Sequence, residues 1–422
     1  MSEHSNRKMM KKILWMLIPC FLCLTVCGCS SFEKEDDGNN PLKDLRLTTK
    51  QISFIQEGNQ FTGRLLSQVD AYVTHNQEED WFVSPLSLQM VLAMMLNGAA
   101  GETADEICHV LGYGQDEIDA INELSHLLLD KLPTIDKKTD LVMANALFHN
   151  NTISLKAPYR QAVSQHYDAT LEALDFTKTR ESVATINKWG KKQTNGLIPE
   201  VIKEVNPMAL TYILNALYFK SAWQTPFDKK QTERETFTRE DGSTTKVPMM
   251  KLSKEFLFSD NSLYQAVHLP FGNGAFKMCI LLPKKNHTVK DVLATLSEDG
   301  FSPYGSTASV DLWVPRFETK YHIEWKEVLQ EMGMVRSFDR NAADFSLMSD
   351  RKSYVERILQ DAVFKVNEEG AEAAAVTAGI MVLRASGGQP RKVVFHADRP
   401  FIYLITETST GVILFAGKYS GH

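Results

Sequence analysis

Lys365-Val-Asn-Glu-Glu-Gly-Ala-Glu-Ala-Ala-Ala-Val-Thr-Ala-Gly-Ile-Met-Val-Leu-Arg-Ala-Ser-Gly-Gly-Gln-Pro390 supports two incompatible readings. Its Ala-rich part, Ala371–Ala378, favours helix by propensity alone. Read with a period of two, the same residues put Ala371, Ala373, Ala375 and Thr377 on one side and Glu372, Ala374, Val376 and Ala378 on the other. Small residues on one side let such a segment slide between two existing strands without steric penalty. Gly370 supplies a pivot just ahead of it. A segment able to be either loop or strand marks a switch.

The switch lies in a chain of 422 residues, 43% apolar and 23% charged, with a formal charge of -6. That is ordinary globular composition. The mild acidity argues against a nucleic-acid binder, because no basic stripe overrides repulsion by backbone phosphates. At the N-terminus Arg7, Lys8, Lys11 and Lys12 precede an apolar run from Ile13 to Gly28, whose 16 residues are too short for a comfortable bilayer span. The run reads as a secretory signal. Its end, Val26-Cys27-Gly28-Cys29-Ser30, resembles a bacterial lipoprotein signal, in which Cys29 carries the lipid and becomes the first mature residue. The alternative is an ordinary signal peptide with incidental cysteines.

On the lipoprotein reading residues 1–28 are removed and 29–48 form a flexible polar tether to the membrane. The acidic run after Cys29 resembles the address by which some Gram-negative bacteria send lipoproteins to the outer face of the outer membrane. The expected location is therefore the outer membrane or cell surface. The mature chain of 394 residues carries 42 basic and 51 acidic side chains, a charge of -9. Cys20, Cys23 and Cys27 leave with the signal, so only Cys108 and Cys279 remain in the folded part, too few for a disulfide framework.

From residue 49 to 422 there is no repeat and no long linker, which implies one continuous domain. Leu65, Val69 and Tyr72 recur at helical spacing, and Ser84-Pro85 opens a helix with Leu88, Val91, Leu92 and Met95 on one face. Met90, Met94 and Met95 read as core filler. Strand-like runs cover 141–148, 212–219, 276–282, 310–314, 393–395, 401–406 and 412–415. Their irregular mixing with helices indicates an α+β domain, with large, mostly antiparallel sheets covered by helices.

Chemistry is scarce. There is no Gly-x-Ser-x-Gly elbow, no His-Glu-x-x-His, no Walker loop and no zinc-type cysteine spacing. The eleven histidines are scattered, and neither a metal nor another cofactor is expected. Gly272-Asn-Gly274 reads as a hairpin turn rather than a phosphate loop.

Asn367-Glu-Glu-Gly-Ala-Glu-Ala-Ala-Ala-Val-Thr-Ala378 resembles the hinge of the serpins, and Phe395-His-Ala-Asp-Arg-Pro-Phe401 resembles their C-terminal signature. Phe82-Val-Ser-Pro-Leu-Ser87 is similar to the start of the family's shutter helix. Asn145-Ala-Leu-Phe148 and Leu214-Asn-Ala-Leu-Tyr-Phe-Lys-Ser-Ala-Trp223 are similar to strands of its central sheet. Ile186-Asn-Lys-Trp189, Thr194-Asn-Gly196, Ala343-Asp-Phe-Ser346 and Val412-Ile-Leu-Phe-Ala-Gly417 also fit, so the resemblance runs from about residue 50 to the end.

The resemblance implies a large mixed, mostly antiparallel central sheet, smaller sheets, about eight or nine helices and an exposed reactive-centre loop over residues 369–391. It implies a monomeric protease inhibitor rather than an enzyme. The loop is cut by the target and inserts as an extra strand while the protease is still joined as an acyl-enzyme, releasing stored strain. The hinge is Glu368, Glu369, Gly370, Ala371, Glu372, Ala373, Ala374, Ala375, Val376 and Thr377. Seventeen residues counted from Glu368 end at Arg384, so the reactive bond is Arg384–Ala385 and the bait suits a trypsin-like pocket.

Met381, Val382 and Leu383 fill the preceding subsites. Val382 and Leu383 also suit cysteine proteases, and a shifted register would offer Met381 or Leu383 to an elastase-like or chymotrypsin-like enzyme. The shutter positions are Ser84, Ser87, Asn215 and Gln360, with Gln360 where the family usually has a histidine, and Trp223 belongs to the breach above them. The hinge carries no proline, charge or bulky residue on its inserting side, which favours an inhibitor over a non-inhibitory carrier or binding module. An unrecognised hydrolase would need a nucleophile and base that the sequence does not offer.

Overall fold

Helix formation follows local signals closely. Thr48 caps the first helix from both sides, its hydroxyl accepting from Gln51 N while the Gln51 side chain accepts from Thr48 N. Ser84 caps the second, with Pro85 in its first turn. The computed structural model describes residues 40–196, 198–301, 305–371 and 391–422. Among them are eight α-helices: α1 (Thr49–His75), α2 (Pro85–Leu96), α3 (Gly101–Leu111), α4 (Ile118–Lys131), α5 (Ala157–Tyr167), α6 (Thr179–Gln193), α7 (Val289–Asp299) and α8 (Trp325–Glu331).

The strands are β1 (Trp81–Val83), β2 (Thr139–Asn150), β3 (Thr170–Leu174), β4 (Thr211–Ala222), β5 (Glu233–Thr238), β6 (Thr244–Asp260), β7 (Tyr264–Phe271), β8 (Phe276–Pro283), β9 (Ser306–Pro315), β10 (Phe317–Glu324), β11 (Leu359–Val366), β12 (Gly370–Ala371), β13 (Lys392–His396), β14 (Phe401–Glu407) and β15 (Ile413–Tyr419). Six form a sheet in the order β10-β11-β12-β4-β2-β3, antiparallel except for the parallel pair β2–β3. The others run β1-β15-β14-β8-β7-β6-β9-β13, with β5 on β6. The α+β class expected from the sequence is correct, and the smaller sheets share one nine-stranded hydrogen-bonded network.

Helix α2 packs on both β15 and β4 and so lies between the two sheets. This is why every residue in it but Gln89 is buried, where the periodicity had indicated one apolar face. Met90, Met94 and Met95 are core filler as expected. The apolar runs of β8, β14 and β15 are buried along their whole length. Cys108 and Cys279 are buried and free, and among the described residues no helix is long and apolar enough to cross a membrane.

The expected tether extends too far into the body. Asn40 Nδ2 donates to Asp136 Oδ1 at 2.7 Å, Leu45 N donates to Ser409 Oγ at 3.0 Å, and Leu45 and Leu47 pack on the core. Residues 40–48 thus belong to the folded domain, because two of the three leucines in this stretch, Leu45 and Leu47, find apolar cover while Leu42 stays exposed. Cys29 and residues 1–39 lie outside the described residues.

Candidate functional site

At the end of β11 the chain turns over Asn367, whose side-chain oxygen accepts from Glu369 N at 2.8 Å and Gly370 N at 3.1 Å. The turn delivers Gly370 and Ala371 into the sheet, antiparallel to both neighbours. Gly370 pairs with Ala222 and Ala371 with Ser221 on β4, while Ala371 also faces Val366 on β11. Gly370 has φ 154°, a backbone that side chains strongly disfavour. Ala371 is fully buried, at 0% exposure. The expected loop boundary at residue 369 therefore moves inward. Gly370 and Ala371 are strand, because the slot between β11 and β4 satisfies their backbone groups and admits only a small side chain.

Above this slot the turn is clamped. Trp223 donates its indole N–H to Asn367 O at 2.8 Å and its backbone N–H to Glu369 O at 2.9 Å. Its ring stacks on Phe271 at 4.3 Å, with the planes 11° apart. Glu368 is only 2% exposed. Its carboxylate accepts from Thr232 Oγ1 at 2.8 Å and from Arg316 Nη1 at 3.4 Å, which offsets the cost of burying the charge. Glu369 pairs with Lys229 nearer the surface.

Halfway down the sheet a second cluster joins β4, β11 and α2. Gln360 Oε1 accepts from Ser84 N at 2.8 Å, and its Nε2 donates to Ser84 O at 3.1 Å. The Ser84 hydroxyl donates to Leu414 O on β15 at 2.7 Å. Ser87 Oγ donates to Asn215 Oδ1, Asn215 Nδ2 to Asn145 Oδ1 at 2.7 Å, and Asn145 Nδ2 to Tyr167 O at 2.7 Å. The amide of Gln360 thus serves the backbone of Ser84, and it is Ser87 that reaches Asn215.

The structure brings together Glu368, Glu369, Gly370, Ala371 and Trp223 at one end of the slot and Ser84, Ser87, Asn215 and Gln360 below it. Arg384, Ala385, Met381, Val382, Leu383 and the hinge positions Glu372, Ala373, Ala374, Ala375, Val376 and Thr377 lie outside the described residues. Among the described residues no three His, Cys, Asp or Glu side chains are grouped to hold a metal.

A family model described as "Serpin (serine protease inhibitor)" matches residues 56–421. The chain is a serpin. It is 32% identical over 381 residues to Iripin-2 of Ixodes ricinus, covering 87% of this chain and 94% of the relative. It is 30% identical over 423 residues to an uncharacterized serpin-like protein of Thermococcus kodakarensis, covering 96% and 97%. Among solved structures, the thermophilic serpin tengpin in its native state superposes with a TM-score of 0.78 at 27% identity, over 91% of this chain and 97% of that one.

Several contacts of this serpin were not assigned from sequence. Asn367 is the first residue of the hinge motif, and its type carried the overlooked signal, since an asparagine side chain commonly accepts from the backbone N–H two residues on and so closes a turn. Arg316, Thr232 and Lys229 sit far from the hinge in sequence, so only the fold shows that they meet Glu368 and Glu369. Asn145 stood in a quoted strand motif, and its neighbour across the sheet at Asn215 was the available signal.

Proposed function

We propose that this serpin irreversibly inhibits extracellular serine endopeptidases of trypsin-like specificity, with Arg384 as bait. The protease serine oxygen attacks the carbonyl carbon of Arg384. The bond to Ala385 breaks, the amine of Ala385 leaves with a proton, and Arg384 remains as an acyl ester on the protease. The freed segment beyond Ala371 then enters the slot between β11 and β4 as a full strand, carrying the protease with it before water can hydrolyse the ester.

The observation that carries this reading is the pairing of Gly370 and Ala371 between β4 and β11, with a fully buried methyl group at the point where insertion starts. A fitted first step of a strand supports a loop built to continue inward. Cys29 is the proposed lipid site, holding a monomeric inhibitor at the outer membrane or cell surface, where it shields the cell or its surface machinery from extracellular proteases. Arg384→Glu tests the bait. The variant should lose inhibition of trypsin-like enzymes, and undiminished inhibition would reject Arg384.

A further inference from the structure

The Gly272-Asn-Gly274 turn joins β7 to β8, and it also reaches two other parts of the chain. Gly272 N donates to Ala222 O at 2.8 Å, and Ala222 is the register partner of Gly370. Gly272 has φ +46°, and a Cβ there would lie 1.8 Å from Asp136 Oδ2, so glycine alone allows the carboxylate to approach the turn. Asp136 is 1% exposed. It accepts from Thr139 Oγ1 at 2.6 Å, Lys138 N at 3.0 Å and Asn273 N at 3.3 Å. Thr139 Oγ1 is also 2.7 Å from Ser221 Oγ, and Ser221 is the register partner of Ala371.

Both residues of β12 therefore pair with residues of β4 that are tied to one buried hub. Asn40 completes it. Its Nδ2 donates to Asp136 Oδ1 at 2.7 Å, and its Oδ1 accepts from Lys137 N at 3.0 Å and from Asn273 Nδ2 at 3.4 Å. A single carboxamide thus spans the buried carboxylate, the start of β2 and the β7–β8 turn. In sequence, ten residues lie between Cys29 and Asn40.

We propose that Asn40 is a strap on the breach, by which the N-terminal arm holds the end of β4 and resists insertion of the loop beyond Ala371 in the uncleaved protein. Asn40 is a positioning residue, acting through Asp136 and the turn. Losing its bond to the buried carboxylate, together with those to Lys137 and Asn273, frees the top of β4 to separate from β12. The consequence for insertion rests on the function proposed above, whereas the strap itself is readable in the intact protein.

The test is hydrogen exchange on the uncleaved soluble form, residues 30–422, as parent, Asn40→Ala and Asn59→Ala. Asn59 makes a comparable bond, to Gly411 O at 2.9 Å, and is outside the hub. Asn40→Ala should speed exchange at the amides of Gly272 and Trp223 about tenfold while leaving those of β14 unchanged. Asn40→Asp, which sets a second carboxylate on Asp136, should speed it further. On mild heating, both Asn40 variants should also turn faster than the parent into a form that resists urea.

Exchange at Gly272 and Trp223 equal to that of the parent, or raised equally by Asn59→Ala, would overturn the strap. Because exchange is read before any cleavage, a protein that proves to be a mere substrate leaves this result standing. Unchanged exchange, in turn, leaves the inhibitory reading standing.

Discussion

Trp223 donates its indole N–H to the carbonyl oxygen of Asn367 at 2.8 Å, pinning the turn that leads into the hinge to the end of β4. Trp223→Phe keeps an aromatic face for Phe271 but leaves that carbonyl without its indole donor. The urea midpoint of the uncleaved protein should fall by the equivalent of about 1 kcal/mol with an unchanged denaturant slope. An unchanged midpoint would show that the clamp contributes nothing.

Ala371 sits between β11 and β4 with no exposed surface. Ala371→Arg would force a guanidinium into that slot without a partner, a cost of several kcal/mol by order of magnitude. The variant should be cut as a substrate, with most cleavage events releasing active protease. Titration of residual protease activity against inhibitor measures this directly, and a stoichiometry near that of the parent would contradict the inserted position of Ala371.

Gln360 is the departure from the family pattern with the clearest structural outcome. Gln360→Ala removes the acceptor of the buried Ser84 N–H and should cost about 1–3 kcal/mol in urea unfolding. Gln360→His places a titratable ring in the same position, so stability that is flat with pH in the parent at this site should acquire a slope around pH 6–7. Equal slopes in the two proteins would mean that the ring does not face Ser84.

How far the sequence carried the account differs from element to element. The α2 start at Ser84-Pro85 and the long apolar strands β8, β14 and β15 were legible because each rests on a local cap or on continuous burial. Strand β10 was legible too but was passed over: Phe317-Glu-Thr-Lys-Tyr-His-Ile-Glu alternates inward and outward residues with the period of two of a half-buried strand, Thr319 taking one of the inward places. The hinge motif located the slot, but the burial of Glu368 depends on Thr232 and Arg316, which are distant in sequence. The domain start at Asn40 was missed for a similar reason. Its partners Asp136 and Asn273 become neighbours only when β2 and the β7–β8 turn converge.

Two groups, the half-buried Asp80 and the buried His268, give the stability opposite pH responses. Burial pushes the Asp80 carboxyl up to about 6, against the pull of the Ser420 N–H, His422 and Lys418. A raised carboxyl favours folding when protonated, so its contribution is full below about pH 4 and is lost as pH rises through 6. Asp80→Asn should therefore raise stability at pH 7 by about 1–3 kcal/mol and change little at pH 4. His268 is held down to about 3 by burial and by nearby Lys277. Its contribution is full above about pH 6.5 and drains as pH falls towards 3, so His268→Gln should flatten the acid side of the profile. Thermal midpoints of the two variants from pH 3 to 8 check both signs.

The central claim, that the loop is bait attached to a trap, is tested most directly by incubating residues 30–422 with a trypsin-like protease and examining the products under denaturing conditions. The account predicts a boiling-resistant band at the summed mass less the released C-terminal peptide, with that peptide beginning at Ala385. Clean cleavage with no covalent band and undiminished protease activity would contradict it.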